Sequence, residues 1–525
     1  MENKDKRYTY FGIGFYVLVW VIRNLNDTLY LADVAFLQNR LEQIHQCILD
    51  GNLPIFYYND FQGVGYGSSF FYGQLTILPF ALFPSDIGIK LLTLFIPILF
   101  YVSMKVIVSR LTDRNIEFIT FIIALSEFPL GMLCTSLMYA NMYGISFALL
   151  FLAACIDFFR DKDSFVKASV MFFLLLNTHL ISAIIGFICC VMICIYYFDK
   201  KEIIQYIRFA LLTIGLCLYN IINVLYHSDI LTSTKDINKT MLESNFVTYN
   251  TINNTYFGSF LLRRIIDTLG YGYTLCTYPI LIITIGLFIK YRHKIFEHNK
   301  VKKIVYIVLG LIGLIISSDF IWTKIMSVVN IPIQFPIRYI LFIEIMLLVL
   351  TFREICDIIL VRVITVIQVI TCVVSIFFVF TMEFGLAWVD NQVANGEYLD
   401  KSFVWDIDEF NKNKSQVIDQ YGNTYTYDTD KQYLIVDLSS NTNTNTIIQV
   451  PKLYYKGYVA KTKASMLTDS FDVSMGYSQF INVNVDNYTG TLYVYYQHPL
   501  FLQILWGFTL VLLILIFLRC VYEKS

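Results

Sequence analysis

The chain has 525 residues, a formal net charge of −1, 57% apolar residues and only 15% charged residues, with a mean hydropathy of +0.59. A soluble domain carries about 25% charge, so a soluble catalytic domain is excluded, and the absence of a basic excess leaves no electrostatic case for nucleic acid. What fits is a polytopic α-helical membrane protein, in which each crossing of a hydrocarbon core of about 30 Å takes about 17–25 apolar residues.

Met1 to Arg7 is polar and basic, and the apolar stretch from Tyr10 lacks a small-residue cleavage site, so no cleavable signal peptide is expected. Apolar runs follow near 10–26, 87–109, 116–134, 139–157, 166–179, 181–198, 205–226, 271–290, 303–319, 335–351, 361–382 and 498–518. They predict about 12 transmembrane helices. The pair around residue 180 is short, with Asn177-Thr178-His179 between its members. Lys and Arg gather at alternate turns: Lys4/Lys6/Arg7, Lys105/Arg110/Arg114, Arg160/Lys162/Lys167, Lys200/Lys201, the cluster Lys290 to Lys303, Arg353/Arg362 and Arg519/Lys524. This alternation places every group, and both termini, on the cytoplasmic side. The run Arg292 to Lys303 reads as an anchor to anionic membrane lipids.

Four segments are left outside: 27–86, 227–270, 320–334 and 383–497. The last has alternating or aromatic runs at Gln432 to Val436, Thr446 to Val450, Gln479 to Val485 and Thr491 to Tyr496, bounded by Asn/Asp/Gly turns. It reads as a small extracytoplasmic, mainly-β domain before the last helix. It carries 14 acidic and 8 basic residues, a net −6, which suits a lid or acceptor platform better than a grip on anionic lipid. No cysteine occurs between Glu383 and Pro499, so it must hold without disulfides, as fits a bacterial plasma membrane. The domain plan is a transmembrane core over 1–382 with 27–86 as its active-site loop, the β-rich domain over 383–497, and a final helix with cytoplasmic tail over 498–525.

Polar chemistry concentrates in the first outward segment. Val34, Leu37, Leu41, Ile44 and Ile48 recur at the spacing of an amphipathic helix lying along the interface. Asp33 stands at its start, where free N–H groups favour a carboxylate, and it reads either as an N-cap or as a catalytic acid. Gly51 and Pro54 supply the stop. Asp60 then sits among Tyr57, Tyr58 and Tyr66, ahead of Gly63, Gly65 and Gly67. The glycines permit tight turns or close approach of backbone to a ligand, and Asp60 reads as a turn former or as a functional carboxylate in an aromatic setting. No Lys-Ser/Thr ending follows, so this is not a nucleotide loop.

An aspartate after helix one, a following Arg40, then Gly51-x-Leu53-Pro54 leading to Gly63-Val-Gly65-Tyr-Gly67-Ser-Ser-Phe-Phe-Tyr-Gly73 resembles the bacterial membrane proteins of the GT-C glycosyltransferase superfamily. The resemblance points to their YfhO-like and 6-pyruvoyl-tetrahydropterin-synthase-related branch. It continues through Asn177-Thr178-His179, Ile333-Gln334-Phe-Pro-Ile-Arg338, Gly396-Glu397-Tyr-Leu399 and Pro451-Lys-Leu-Tyr-Tyr-Lys-Gly457-Tyr458. One departure is Asp400 where the family pattern has a proline. The resemblance implies a GT-C-like fold and transfer of a sugar from a polyprenyl-phosphate-linked donor to an extracytoplasmic glycan or lipid-linked acceptor.

It also implies that Asp33 serves the acceptor hydroxyl or a metal, with Asp60 as the second carboxylate and Glu42 or Asp86 as rivals. Such chemistry needs a carboxylate on the incoming hydroxyl and positive charge on the leaving phosphate. Arg338, just inside a membrane run after Pro336, is the preferred phosphate contact, with a structural ion pair as the alternative. Arg40, one to two turns from Asp33, is the second, since a guanidinium fork suits phosphate. His179 fits a hydrogen bond to the leaving phosphate, an orienting contact on Asp33, or a helix-end hydrogen bond to a neighbouring carbonyl. Tyr58, Tyr66, Gln334 and Glu397 complete the candidate substrate contacts. Six scattered histidines show no zinc spacing; Mg2+ or Mn2+ between Asp33 and Asp60 suits hard oxygen ligands, and the sequence does not choose between metal and none. Two other accounts stand beside the enzyme: a flippase for lipid-linked glycans and a non-catalytic envelope assembly factor.

Overall fold

A computed structural model describes residues 2–25, 33–54, 56–58, 60, 63–126, 139–162, 164–228, 283–284, 286–291, 345, 348–349, 351–353, 357–381, 407–463 and 470–522. Among them the chain is mostly helical with one small β region. Four helical stretches are long and apolar enough to cross a membrane: Ser85–Leu111, Tyr139–Asp161, Lys200–Tyr226 and Leu500–Tyr522. Phe165–Thr178, Leu180–Tyr196 and Ile358–Val373 are apolar but shorter. The chain is a membrane protein. Of the about 12 crossings read from the sequence, the run 303–319 and most of 271–290 and 335–351 lie outside the described residues.

The chain divides into two compact units. One comprises Met1–Gln38, Asp86–Ile214 and Asn238–Val389, the other Asn39–Ser85, Gly215–Ile237 and Asp390–Ser525. Residues 39–85, kept with the transmembrane core in the sequence plan, thus group with the β region.

The helices are α1 (Glu2–Leu25), α2 (Asp33–Leu49), α3 (Ser85–Leu111), α4 (Ile116–Ala124), α5 (Tyr139–Asp161), α6 (Phe165–Thr178), α7 (Leu180–Tyr196), α8 (Ile203–Tyr226) and α9 (Ile358–Thr381). In the first unit α1 packs on α4 and α9, with the Tyr16 hydroxyl donating to the Ala124 carbonyl. α5 packs on both α6 and α7. Asp157, near the end of α5 and only 6% exposed, binds Arg110 of α3 at 3.1 Å and Lys167 of α6 at 2.8 Å. Arg160 also donates to the Arg110 carbonyl at 3.0 Å. Two of the basic groups read from the sequence therefore meet at one end of this helical unit.

The second unit holds a short helix α10 (Ile407–Asn413), ten strands and α11 (Leu500–Tyr522). The strands are β1 (Val417–Asp419), β2 (Thr424–Tyr425), β3 (Tyr427–Asp430), β4 (Tyr433–Asp437), β5 (Ile447–Leu453), β6 (Tyr458–Lys461), β7 (Ser470–Phe471), β8 (Val473–Met475), β9 (Phe480–Asn484) and β10 (Thr491–Tyr496). They form two five-stranded sheets, ordered β2-β1-β5-β9-β8 and β3-β4-β10-β6-β7, with every pair antiparallel. Alternate residues point inward, as period-two patterning requires: Leu434 and Val436, Ile448 and Val450, Ile481 and Val483, Leu492 and Val494 are all buried. These residues share a single core with Phe56, Tyr58, Val64, Tyr66, Phe70 and Phe71 of the glycine-rich segment. That segment is thus an integral layer of the β unit, not a free loop.

Candidate functional site

Helix α2 carries the segment into the β unit. Val34, Leu37, Leu41 and Ile44 are buried, as their spacing predicts, but the stripe ends on Cys47, 1% exposed, in place of the half-buried Ile48. Burial, with Asp50 adding to it, pushes the Cys47 thiol up to about 12, so it packs as an apolar group and does not react. Asp33 begins the helix; its side chain lies outside the described residues. The rival acids Glu42 and Asp86 are both exposed.

Beyond the helix, Tyr57 and Tyr66 pair as an antiparallel bridge, closed by Tyr66 N–H to the Tyr57 carbonyl at 3.1 Å and Gly65 N–H to the Asp60 carbonyl at 2.9 Å. Asp60 sits at the turn, 5% exposed, and its Oδ1 accepts from the Asn39 side-chain amide at 2.7 Å. The neighbouring Arg40 is 2% exposed. Its guanidinium donates to the Gly73 carbonyl at 3.0 Å and lies 5.1 Å from the centre of the Tyr72 ring. Arg40 and Asp60 both act on Tyr57: burial raises its phenol, Arg40 pulls it down and Asp60 adds to the rise. Tyr58 is turned elsewhere, its hydroxyl donating to Asp50.

The partner of this segment is the Pro451–Tyr458 motif. The register of β5 against β9 shifts between Val450 and Leu453, where Pro451 has no N–H to give the ladder. The irregularity frees Lys452 to donate to the Tyr58 carbonyl at 2.8 Å and the Gly63 carbonyl at 2.6 Å. Leu453 N–H meets the Val64 carbonyl at 2.9 Å. Gly65 has φ +88, and a side chain there would press on Phe56 and the Tyr458 hydroxyl, both at 3.2 Å. A Cβ on Gly67 would lie 2.6 Å from the Tyr455 ring, closer than packed atoms tolerate. Phe56 stacks on Tyr496 at 4.6 Å and meets Tyr455 and Tyr458 edge-on or tilted. Burial raises the Tyr455 phenol, with Gly67 N–H opposing and Asp60 adding to the rise.

The space above the glycines is therefore filled by the chain's own tyrosines. Lys452, Tyr455 and Tyr458 were not nominated from the sequence, although their motif was noted; its proline and close-set tyrosines were the available signal. Burial lowers the Lys452 ammonium to about 8, since two carbonyl dipoles replace water only in part.

Of the residues nominated from sequence, the second unit brings together Arg40, Tyr58, Asp60 and Tyr66. His179 belongs to the first unit, where it caps α7: Ser182 N–H donates to its Nδ1 at 3.2 Å, and the Ser182 hydroxyl lies 2.9 Å from the same nitrogen. Gln334, Arg338 and Glu397 lie outside the described residues. Among the described residues no group of three His, Cys, Asp or Glu side chains could hold a metal. No family model, no curated protein and no solved structure matches this chain.

Proposed function

We propose that this chain is a GT-C-type membrane glycosyltransferase of a bacterial plasma membrane, with both termini cytoplasmic. It would move a sugar from a polyprenyl-phosphate donor to an extracytoplasmic glycan or lipid-linked acceptor. The observation that carries this reading is the burial of Arg40 and Asp60, 2% and 5% exposed, beside a glycine-rich segment whose aromatic residues share the core of a folded β unit in a membrane protein. Buried ionisable groups gathered on one segment mark a candidate active site.

In this reading Asp33 takes the proton of the acceptor hydroxyl as its oxygen bonds to the anomeric carbon. The bond from that carbon to the phosphate oxygen breaks, and polyprenyl phosphate leaves with the electron pair. Arg40, with Arg338, meets the growing phosphate charge, and Asp60 orients the acceptor. His179, Gln334 and Glu397 serve the donor head, and Tyr58 and Tyr66 serve as aromatic walls. No step passes through a metal.

The test uses the full chain in proteoliposomes with polyprenyl-phosphate-linked sugar. Asp33→Asn should abolish transfer while circular dichroism and unfolding stay unchanged; full transfer by that variant removes the assignment. One observation favours a second reading, a non-catalytic envelope assembly factor: the glycines and Lys452 are engaged in holding the chain to itself. In that case Asp33→Asn would be silent, and deletion of the β domain alone would abolish function.

A further inference from the structure

We propose that the face of α8 bearing Tyr219, Asn223 and His227, closed by Phe70 and by His498, is a binding site for a neutral sugar ring. The inference rests on the transferase reading in that this sugar would be the one transferred. Tyr219 and Asn223 stand one turn apart on α8, and His227 follows one turn beyond, so the three share a face. Asn223 is 5% exposed; its Nδ2 donates to the Phe70 carbonyl at 3.0 Å, and its Oδ1 has no partner among the described residues. His227 lies flat on Phe70, with ring centres 3.6 Å apart and planes 9° from parallel. Its Nε2 is 3.4 Å from the Tyr496 hydroxyl.

His498 adjoins this group through Tyr219, 6.0 Å between ring centres, and Tyr496, 6.3 Å. It is 7% exposed, and neither of its ring nitrogens has a partner among the described residues. The Ser68 and Ser69 hydroxyls, in the same turn as Phe70, are buried and likewise without partners among the described residues. A buried polar group left unpaired is destabilising, and native proteins seldom leave several together. Such a group of atoms calls for a ligand.

The chemistry of the atoms selects its class. Burial lowers the His498 imidazole to about 4, so near neutral pH it offers one donor and one acceptor and no charge. With the Asn223 carbonyl oxygen as a further acceptor, an anion is disfavoured. An alkyl chain would leave every one of these atoms unpaired. A neutral pyranose brings hydroxyls that donate and accept, and an apolar C–H face that suits aromatic rings. The place fits a lipid-linked sugar. α8 and α11 are both long enough to span a membrane, and they meet at Gly215, where an added Cβ would lie 3.2 Å from the Leu512 side chain.

The experiment measures binding to the full chain in nanodiscs by saturation-transfer NMR. The probes are free glucose, galactose and mannose in one arm and the same sugars linked to polyprenyl phosphate in the other. Wild-type protein should bind at least one sugar; binding in both arms assigns the site to the sugar alone, and binding only in the lipid arm assigns it to the donor. His498→Ala and Asn223→Ala should each weaken binding about tenfold, and Asp428→Asn, exposed on β3, should leave it unchanged. In the unmutated protein the His498 ring nitrogen resonances should shift on sugar addition, a readout that does not depend on how the variants fold. No binding by wild type, or no shift of His498 on binding, overturns the proposal. Transfer without binding at His498 would discard this site and spare the transferase reading; binding without transfer would do the reverse.

Discussion

The two units bury charge in different ways. In the helical unit the buried Asp157 is met by two opposite charges, Arg110 and Lys167. In the β unit Lys452 is met by two neutral carbonyls, and Arg40 donates to the carbonyl of Gly73. Opposite charges far apart in sequence hold helices in register, and salt or water can reach the exposed ends of Arg110 and Lys167. The two carbonyl dipoles at Lys452 do not neutralise its charge, and the packing around it must offset that cost. The helical unit therefore shows charge fastening elements through opposite charge, and the β unit shows it fastening segments through backbone carbonyls.

The largest way to break the contrast is to disturb the packing on which the β unit relies. Gly65→Val introduces backbone strain at φ +88 and a side chain against Phe56 and Tyr458. It should destabilise the full chain by about 4 kcal/mol, strain and overpacking together, read from denaturant unfolding of the detergent-solubilised protein.

Next comes the pH dependence of Lys452. Its folded value, about 8, lies below its ordinary 10.5, so the unfolded chain holds a proton that the folded chain has lost between those limits. Below that window the burial penalty is present in full; through it, the unfolding free energy should climb with pH by about 3 kcal/mol. Lys452→Met should abolish this climb, as measured by the difference between the two proteins over that pH range.

The smallest effect belongs to the helical unit. Asp157→Asn leaves Arg110 and Lys167, which are 32% and 46% exposed, able to turn to water. A loss of about 1 kcal/mol is expected, shrinking in high salt. A loss as large as that of Gly65→Val would erase the distinction between the units.

The legible parts of this molecule are those set by local periodicity. β4, β5, β9 and β10 fall on the alternating runs read from the sequence, and α2 buries Val34, Leu37, Leu41 and Ile44 as its spacing requires. The short pair around residue 180 is indeed two helices broken at His179, whose ring caps the second. Short strands such as β2 and β7, two residues each, carry too few positions for alternation to register.

The interlock of 56–70 with 451–458 had no local signal at all. Lys452 and Tyr58 are 394 positions apart, and contacts at that range follow from shape, not period. The glycines were legible as points of close approach, but what approaches Gly67 is Tyr455. Arg40 was legible as a cation one to two turns from Asp33; its burial and its bond to the Gly73 carbonyl were not. Asp60 carries a signal only as an aspartate before glycines, which fits a turn as well as a site.

The measurement that tests this interlock most directly is a double-mutant cycle of Gly67→Ala with Tyr455→Leu, read as unfolding free energy of the full chain. The Cβ of Gly67→Ala meets the Tyr455 ring at 2.6 Å, so it should cost about 2 kcal/mol in the wild-type background and under about 0.5 kcal/mol once that ring is gone. Equal costs in the two backgrounds would contradict the account, and with it the view that the glycine-rich segment and the β unit form one body.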